Sequence, residues 1–141
     1  GGNSSNVQNQ LVGVDTIFST LDGAFAAKLS NGKVVTWGSL RTGGDSTHVQ
    51  DRLTDVDEIF SNRSAFAAKL KNGRVVTWGV SDHGGDSSLV QDQLRNVDSI
   101  YSTEYAFAAK LKNGRVVTWG DPRSGGDSSS VRDQLRNVDT K

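Results

Sequence analysis

The chain has 141 residues, about a third of them apolar, and its 16 Lys and Arg are balanced by 16 Asp and Glu. Without cysteine there is no disulfide framework, no thiolate metal site and no cysteine nucleophile. The charge balance gives no global excess for nucleic acid, no apolar run approaches a membrane span, and no signal peptide is visible. The length is that of a single domain. The lack of methionine marks the chain as a processed piece, an excised segment or a design.

Repetition dominates the sequence. "AFAAKLKNGRVVTWG" runs from Ala65 to Gly79 and again from Ala106 to Gly120, and "AFAAKLSNGKVVTWG" occupies Ala24 to Gly38. Trp37, Trp78 and Trp119 therefore recur every 41 residues. Such a period is the mark of a repeat architecture. The units are residues 1–42, 43–83 and 84–124, with a terminal partial unit or cap at 125–141 that restates the opening segment.

In the second unit, "GGDSTHVQDRL" comes first. Asp45 or Ser46 is placed to cap a helix start, and Val49 and Leu53 stand four residues apart, so one or two helical turns are expected, with an outer strand as the alternative. "VDEIFS" (Val56 to Ser61) reads as a strand. Asn72-Gly73 then predicts a hairpin with a two-residue type I′ turn. That turn would set Lys71 against Arg74, Leu70 against Val75 and Ala67 against Trp78. One face would carry Phe66, Ala68, Leu70, Val75 and Thr77, and the other Ala65, Ala67, Val76 and Trp78. Both faces are apolar near the base, which predicts a hairpin sandwiched on both sides.

The third unit carries the order in full: Val97 and Ile100, then Phe107, Ala109 and Leu111, the turn Asn113-Gly114, Val116, Trp119-Gly120 and Gly126. This resembles a repeat of the regulator of chromosome condensation family. The resemblance implies a β-propeller blade and a role in nucleotide exchange, chromatin binding or general protein interaction. Three units are too few for the family's seven-bladed ring. The expected fold is a mainly β repeat protein, about three strands and a short helix per unit, as an open array of propeller-like blades or a β-solenoid. A six-bladed ring formed by dimerisation and a β-trefoil are the alternatives.

No catalytic constellation emerges. His48 and His83 do not recur between units, and the serines have no repeated histidine partner. Asp45, Asp86 and Asp127 stand where a phosphate would sit in "GGDSS", so capping is the better reading. No cofactor or metal is expected. Two surfaces are candidates for a partner. The units differ most just before and just after each hairpin, at Asn62, Arg63 and Ser64, Ser81, Asp82 and His83, Glu104 and Tyr105, and Asp121 and Arg123. A constant framework with clustered variable positions suits recognition of a protein partner. The hairpin tips, with Lys28, Lys33, Lys69, Lys71, Arg74, Lys110, Lys112 and Arg115, would form a basic ridge if the units stack. Such a ridge would face nucleic acid or lipid, or simply discourage edge pairing. Self-association into a fibre, stalk or ring, and glycan binding by the tryptophans, complete the readings.

Overall fold

A computed structural model describes residues 3–128. It contains three antiparallel sheets of three strands, each sheet in chain order. The first is β1 (Val14–Ser19), β2 (Ala24–Leu29) and β3 (Val34–Gly38). The second is β4 (Val56–Ser61), β5 (Ala65–Leu70) and β6 (Val75–Gly79). The third is β7 (Val97–Ser102), β8 (Ala106–Leu111) and β9 (Val116–Gly120). The sheets stack face to face in sequence, as propeller blades do, and no trefoil forms because no strands are shared between units.

The turn is one residue longer than a type I′ hairpin allows. Gly73 N–H donates to Leu70 O at 2.9 Å, and Leu70 N–H donates to Arg74 O at 2.9 Å. Lys71, Asn72 and Gly73 therefore form a three-residue loop, a type I turn closed by a left-handed glycine at φ 86°. Asn72 uses its side chain instead of a positive φ: its Oδ1 accepts from Arg74 N–H at 2.9 Å. The register moves by one residue. Phe66 faces Trp78, Ala68 faces Val76, Ala67 faces Thr77 and Lys69 faces Val75.

This correction reassigns the faces. Phe66 and Trp78 share a face and stack with ring centroids 5.3 Å apart. Together with Ala68, Leu70, Val76 and Ile59 they pack on Ala24, Ala26 and Val34 of the first sheet. The opposite face of the second sheet, Ala65, Ala67 and Val75, receives Phe107, Ala109, Leu111, Val117 and Trp119 of the third. Each joint thus sets an aromatic face on an alanine face. The small residues let a bulky neighbour approach closely, so that shape and not merely apolarity fixes the stack.

The segment before each sheet seals the joint. Thr47–Arg52 forms a 3₁₀ helix and Ser88–Val90 a shorter 3₁₀ turn. Val49, Leu53 and Leu94 are almost wholly buried between the sheets. The helical reading of this segment therefore holds in its tighter, 3₁₀ form, and the outer-strand alternative does not. Ser46 is the N-cap residue, and Asp45 just before it accepts from Thr47 N–H at 3.0 Å and from its hydroxyl at 2.7 Å.

Candidate functional site

The variable loops gather at the end of the sheets away from the Asn-Gly turns. Asn62 Oδ1 accepts from the N–H groups of Ser64 and Ala65 at 3.0 and 2.9 Å. Its Nδ2 donates to His83 O at 2.6 Å. Ser64 Oγ and His83 Nδ1 are 2.8 Å apart, and the His83 ring lies 4.3 Å from that of Tyr105. In the third unit Thr103 does the same work, its hydroxyl donating to Ser124 O at 2.6 Å. The loops before and after each hairpin are thereby tied together, and the second unit touches the third.

Not every variable residue is free to meet a partner. Ser64 is 1% exposed and Asn62 7% exposed, so both serve the loop frame. Ser64 is buried and His83 half-buried, and their pair ties the two loops together. Arg63 forms a bridge between units. Its Nε lies 3.4 Å from Asp22 and its Nη1 3.8 Å from Glu104, and the backbone follows the same path, with Asp22 N–H to Arg63 O and Arg63 N–H to Glu104 O. Ser81, Asp82, Glu104 and Arg123 are exposed, and Tyr105 is half-buried. Asp121 accepts from Arg123 N–H at 2.9 Å. Asp82, His83, Asp121 and Arg123, with Gly120 and Pro122, line a shallow cleft of about 380 Å³.

The basic residues are placed differently from the predicted ridge. Lys69 pairs with Asp57 at 2.9 Å and lies 3.8 Å from Glu58, Lys28 pairs with Asp15 at 3.1 Å, and Lys110 with Asp98 at 3.3 Å. These lysines are largely covered, with side chains 13%, 18% and 8% exposed. The acid in each pair sits where the strand register skips, between Val56 and Glu58 and at the equivalent places in β1 and β7. The bulge adds one residue and aims its carboxylate at the lysine. A hydrogen bond from Lys69 holds the Asp57 carboxyl below its ordinary range. Lys33, Lys71, Lys112 and Arg115 remain exposed at the tips, and Arg74 is half-buried. The tips are also joints: Gly32 O accepts from Val56 N–H, and Gly73 O from Val97 N–H, each at 3.0 Å.

Two recurrent ties carry no obvious sequence signal. Thr77 Oγ1 donates to Gly85 O at 3.1 Å and lies 2.8 Å from Ser87 Oγ, and Thr36 and Thr118 repeat the arrangement. Trp78 Nε1 donates to Gly43 O at 3.1 Å and Trp119 Nε1 to Gly84 O at 3.2 Å, across each joint. These two indoles are buried, so they are core residues and present no stacking surface to a sugar. A hydroxyl always one place before Trp, and a serine always two after Gly-Gly, were the available hints.

No family model matches the chain, and no curated protein does either. Solved structures do match. Prp20p of Saccharomyces cerevisiae aligns over 76% of this chain and 30% of its own, at 21% identity and a TM-score of 0.56. The same yeast protein, RCC1 (Prp20), in its complex with Kap60 aligns over 83% of this chain and 32% of its own, at 18% identity and 0.52. These blades have the RCC1 fold. The ectodomain of the Physcomitrella patens receptor kinase CR4 adds a third match, at 18% identity and 0.51, over 81% of this chain and 31% of its own. The RCC1-like blades here span about a third of each matched structure. Within that frame the Phe–Trp stack, the Gly-Gly segment and the bulge are the constant parts, and the loop end is the part that differs from blade to blade.

Proposed function

We propose that this chain is a non-catalytic protein-binding scaffold that reads its partner with the loop end of the blades. One observation carries the reading. Residues unlike between units, Ser81, Asp82, Glu104, Tyr105, Asp121 and Arg123, are brought side by side on a frame built from identical residues, around the cleft lined by Asp82, His83, Asp121 and Arg123. Rigid frames with varied loops are how binding surfaces are commonly carried. The matched structures support a protein partner: Prp20p is described with binding to Gsp1p and histones, and yeast RCC1 is described bound by Kap60.

The alternative anionic partner has less in its favour, because Lys28, Lys69 and Lys110 already have carboxylate partners. The test is a selection of displayed peptides against the chain, since such ligands settle on surfaces suited to proteins. Selected binders should lose at least tenfold in affinity when Glu104, Tyr105 and Arg123 are changed together to alanine. The same binders should be unaffected by Lys71→Ala with Lys112→Ala. Binders sensitive to the tip changes and indifferent to the loop changes would refute the proposal.

A further inference from the structure

Among the described residues, the first and third sheets each turn one face away from the stack, and the two faces are the halves of a joint the chain makes twice inside itself. On the first sheet, Phe25 and Trp37 are already stacked at 5.3 Å, as Phe66 and Trp78 are. Among the described residues the opening 3₁₀ helix, Ser5–Gln10, reaches this sheet at β3, and Phe25 and Trp37 stay half-buried where Phe66 and Trp78 are wholly buried. Ile17 is 57% exposed where Ile59 and Ile100 are each 3% exposed. On the third sheet, Ala106, Ala108, Val116 and Thr118 present the alanine face, bounded by a slot of about 90 Å³ that includes Ala108 and Gly125.

Gly125 differs most plainly from its equivalents in the earlier units. A Cβ on Gly43 would lie 2.5 Å from the Phe66 ring, and one on Gly84 would lie 2.5 Å from that of Phe107. At Gly125 the same atom would meet nothing among the described residues within 4 Å.

We propose that a second copy of this chain docks head to tail, its Phe25–Trp37–Ile17 face on the Ala106–Ala108–Gly125 face of the first. The internal joints supply the template for every contact. Trp37 Nε1 would donate to Gly125 O, as Trp78 and Trp119 donate to Gly43 and Gly84. Val14 N–H would donate to Gly114 O, as Val56 and Val97 donate to Gly32 and Gly73. Glu104 N–H would donate to Asp22 O, extending the path from Asp22 through Arg63 to Glu104. Because the aromatic face is preformed, docking orders few side chains. A heterologous contact of this kind closes into a ring or continues as a filament.

Sedimentation of the purified chain from dilute solution to about 1 mM tests the proposal. The mass should rise above the 15.1 kDa monomer with concentration. Ile17→Glu disables the aromatic face and Ala108→Glu the alanine face, and each variant alone should stay monomeric. Mixed in equal amounts, they should form a dimer and stop there, since only one competent face of each kind remains. A wild-type chain that is monomeric throughout would overturn the proposal, and this result needs no variant. So would Ala108→Glu associating as well as wild type, which would mean that the aromatic face pairs with itself.

Discussion

At the scale of single residues, the polar ties are as repetitive as the apolar ones. Thr77 is 5% exposed; its hydroxyl donates to Gly85 O and lies 2.8 Å from Ser87 Oγ, which accepts from Gln91 Nε2 at 2.8 Å. Valine has nearly the same shape and no hydroxyl. Thr77→Val should therefore cost about 1–3 kcal/mol in urea unfolding, the range for leaving buried polar groups unpaired. The Asp57–Lys69 pair predicts a pH dependence. Lys69 holds the folded-state Asp57 below its ordinary value of 3.8, and local hydrogen bonds from Thr47 and Ser88 do the same for Asp45 and Asp86. A depressed carboxyl stabilises the fold above the ordinary value, and that contribution disappears as pH falls through the folded-state value. The melting temperature should fall as pH drops below about 4. Asp57→Asn should start lower at neutral pH and fall less over the same window.

At the scale of elements, the strands and their order were legible because alternation, Asn-Gly and Trp-Gly each mark one feature. The length of the turn was not. Asn-Gly suits both a two-residue loop, in which both residues take positive φ, and a three-residue loop, in which only glycine does. Asn72 decides between them with its side chain, an acceptor for Arg74 N–H. That single residue of register moved Trp78 to the face of Phe66 and Lys69 to the face of Val75, and so dissolved part of the expected ridge. The bulges were equally hidden, since Val-Asp-Glu reads as ordinary alternation. Gly73 does more than turn the chain: a Cβ there would lie 3.0 Å from Asn96 Cα in the next unit. Gly73→Ala should destabilise by about 1–3 kcal/mol, combining left-handed strain with overpacking, as read by chemical unfolding.

At the scale of the molecule, identical segments follow from equivalent joints. Each unit offers an aromatic face backwards and an alanine face forwards, so a change in one copy without its neighbour spoils a fit. The loop end is released from that constraint except at Arg63, Asn62 and Ser64, which link loops together. Sequence comparison between units therefore found where variation is allowed, but not which variable residues the frame had already engaged. That distinction depends on burial and on hydrogen bonds reaching 21 residues along the chain, as from Asn62 to His83.

The stack rests on the seating of a phenylalanine against the first glycine of the preceding Gly-Gly, and one substitution made at two equivalent places measures it. Gly84 and Gly125 have nearly the same backbone, φ 103° and 100°, so alanine strains both alike. Only at Gly84 does the added methyl meet a ring, that of Phe107. In dilute solution, calorimetric unfolding should show Gly84→Ala less stable than Gly125→Ala by about 1–3 kcal/mol, the cost of overpacking alone. Equal losses at the two positions would contradict the stacked arrangement.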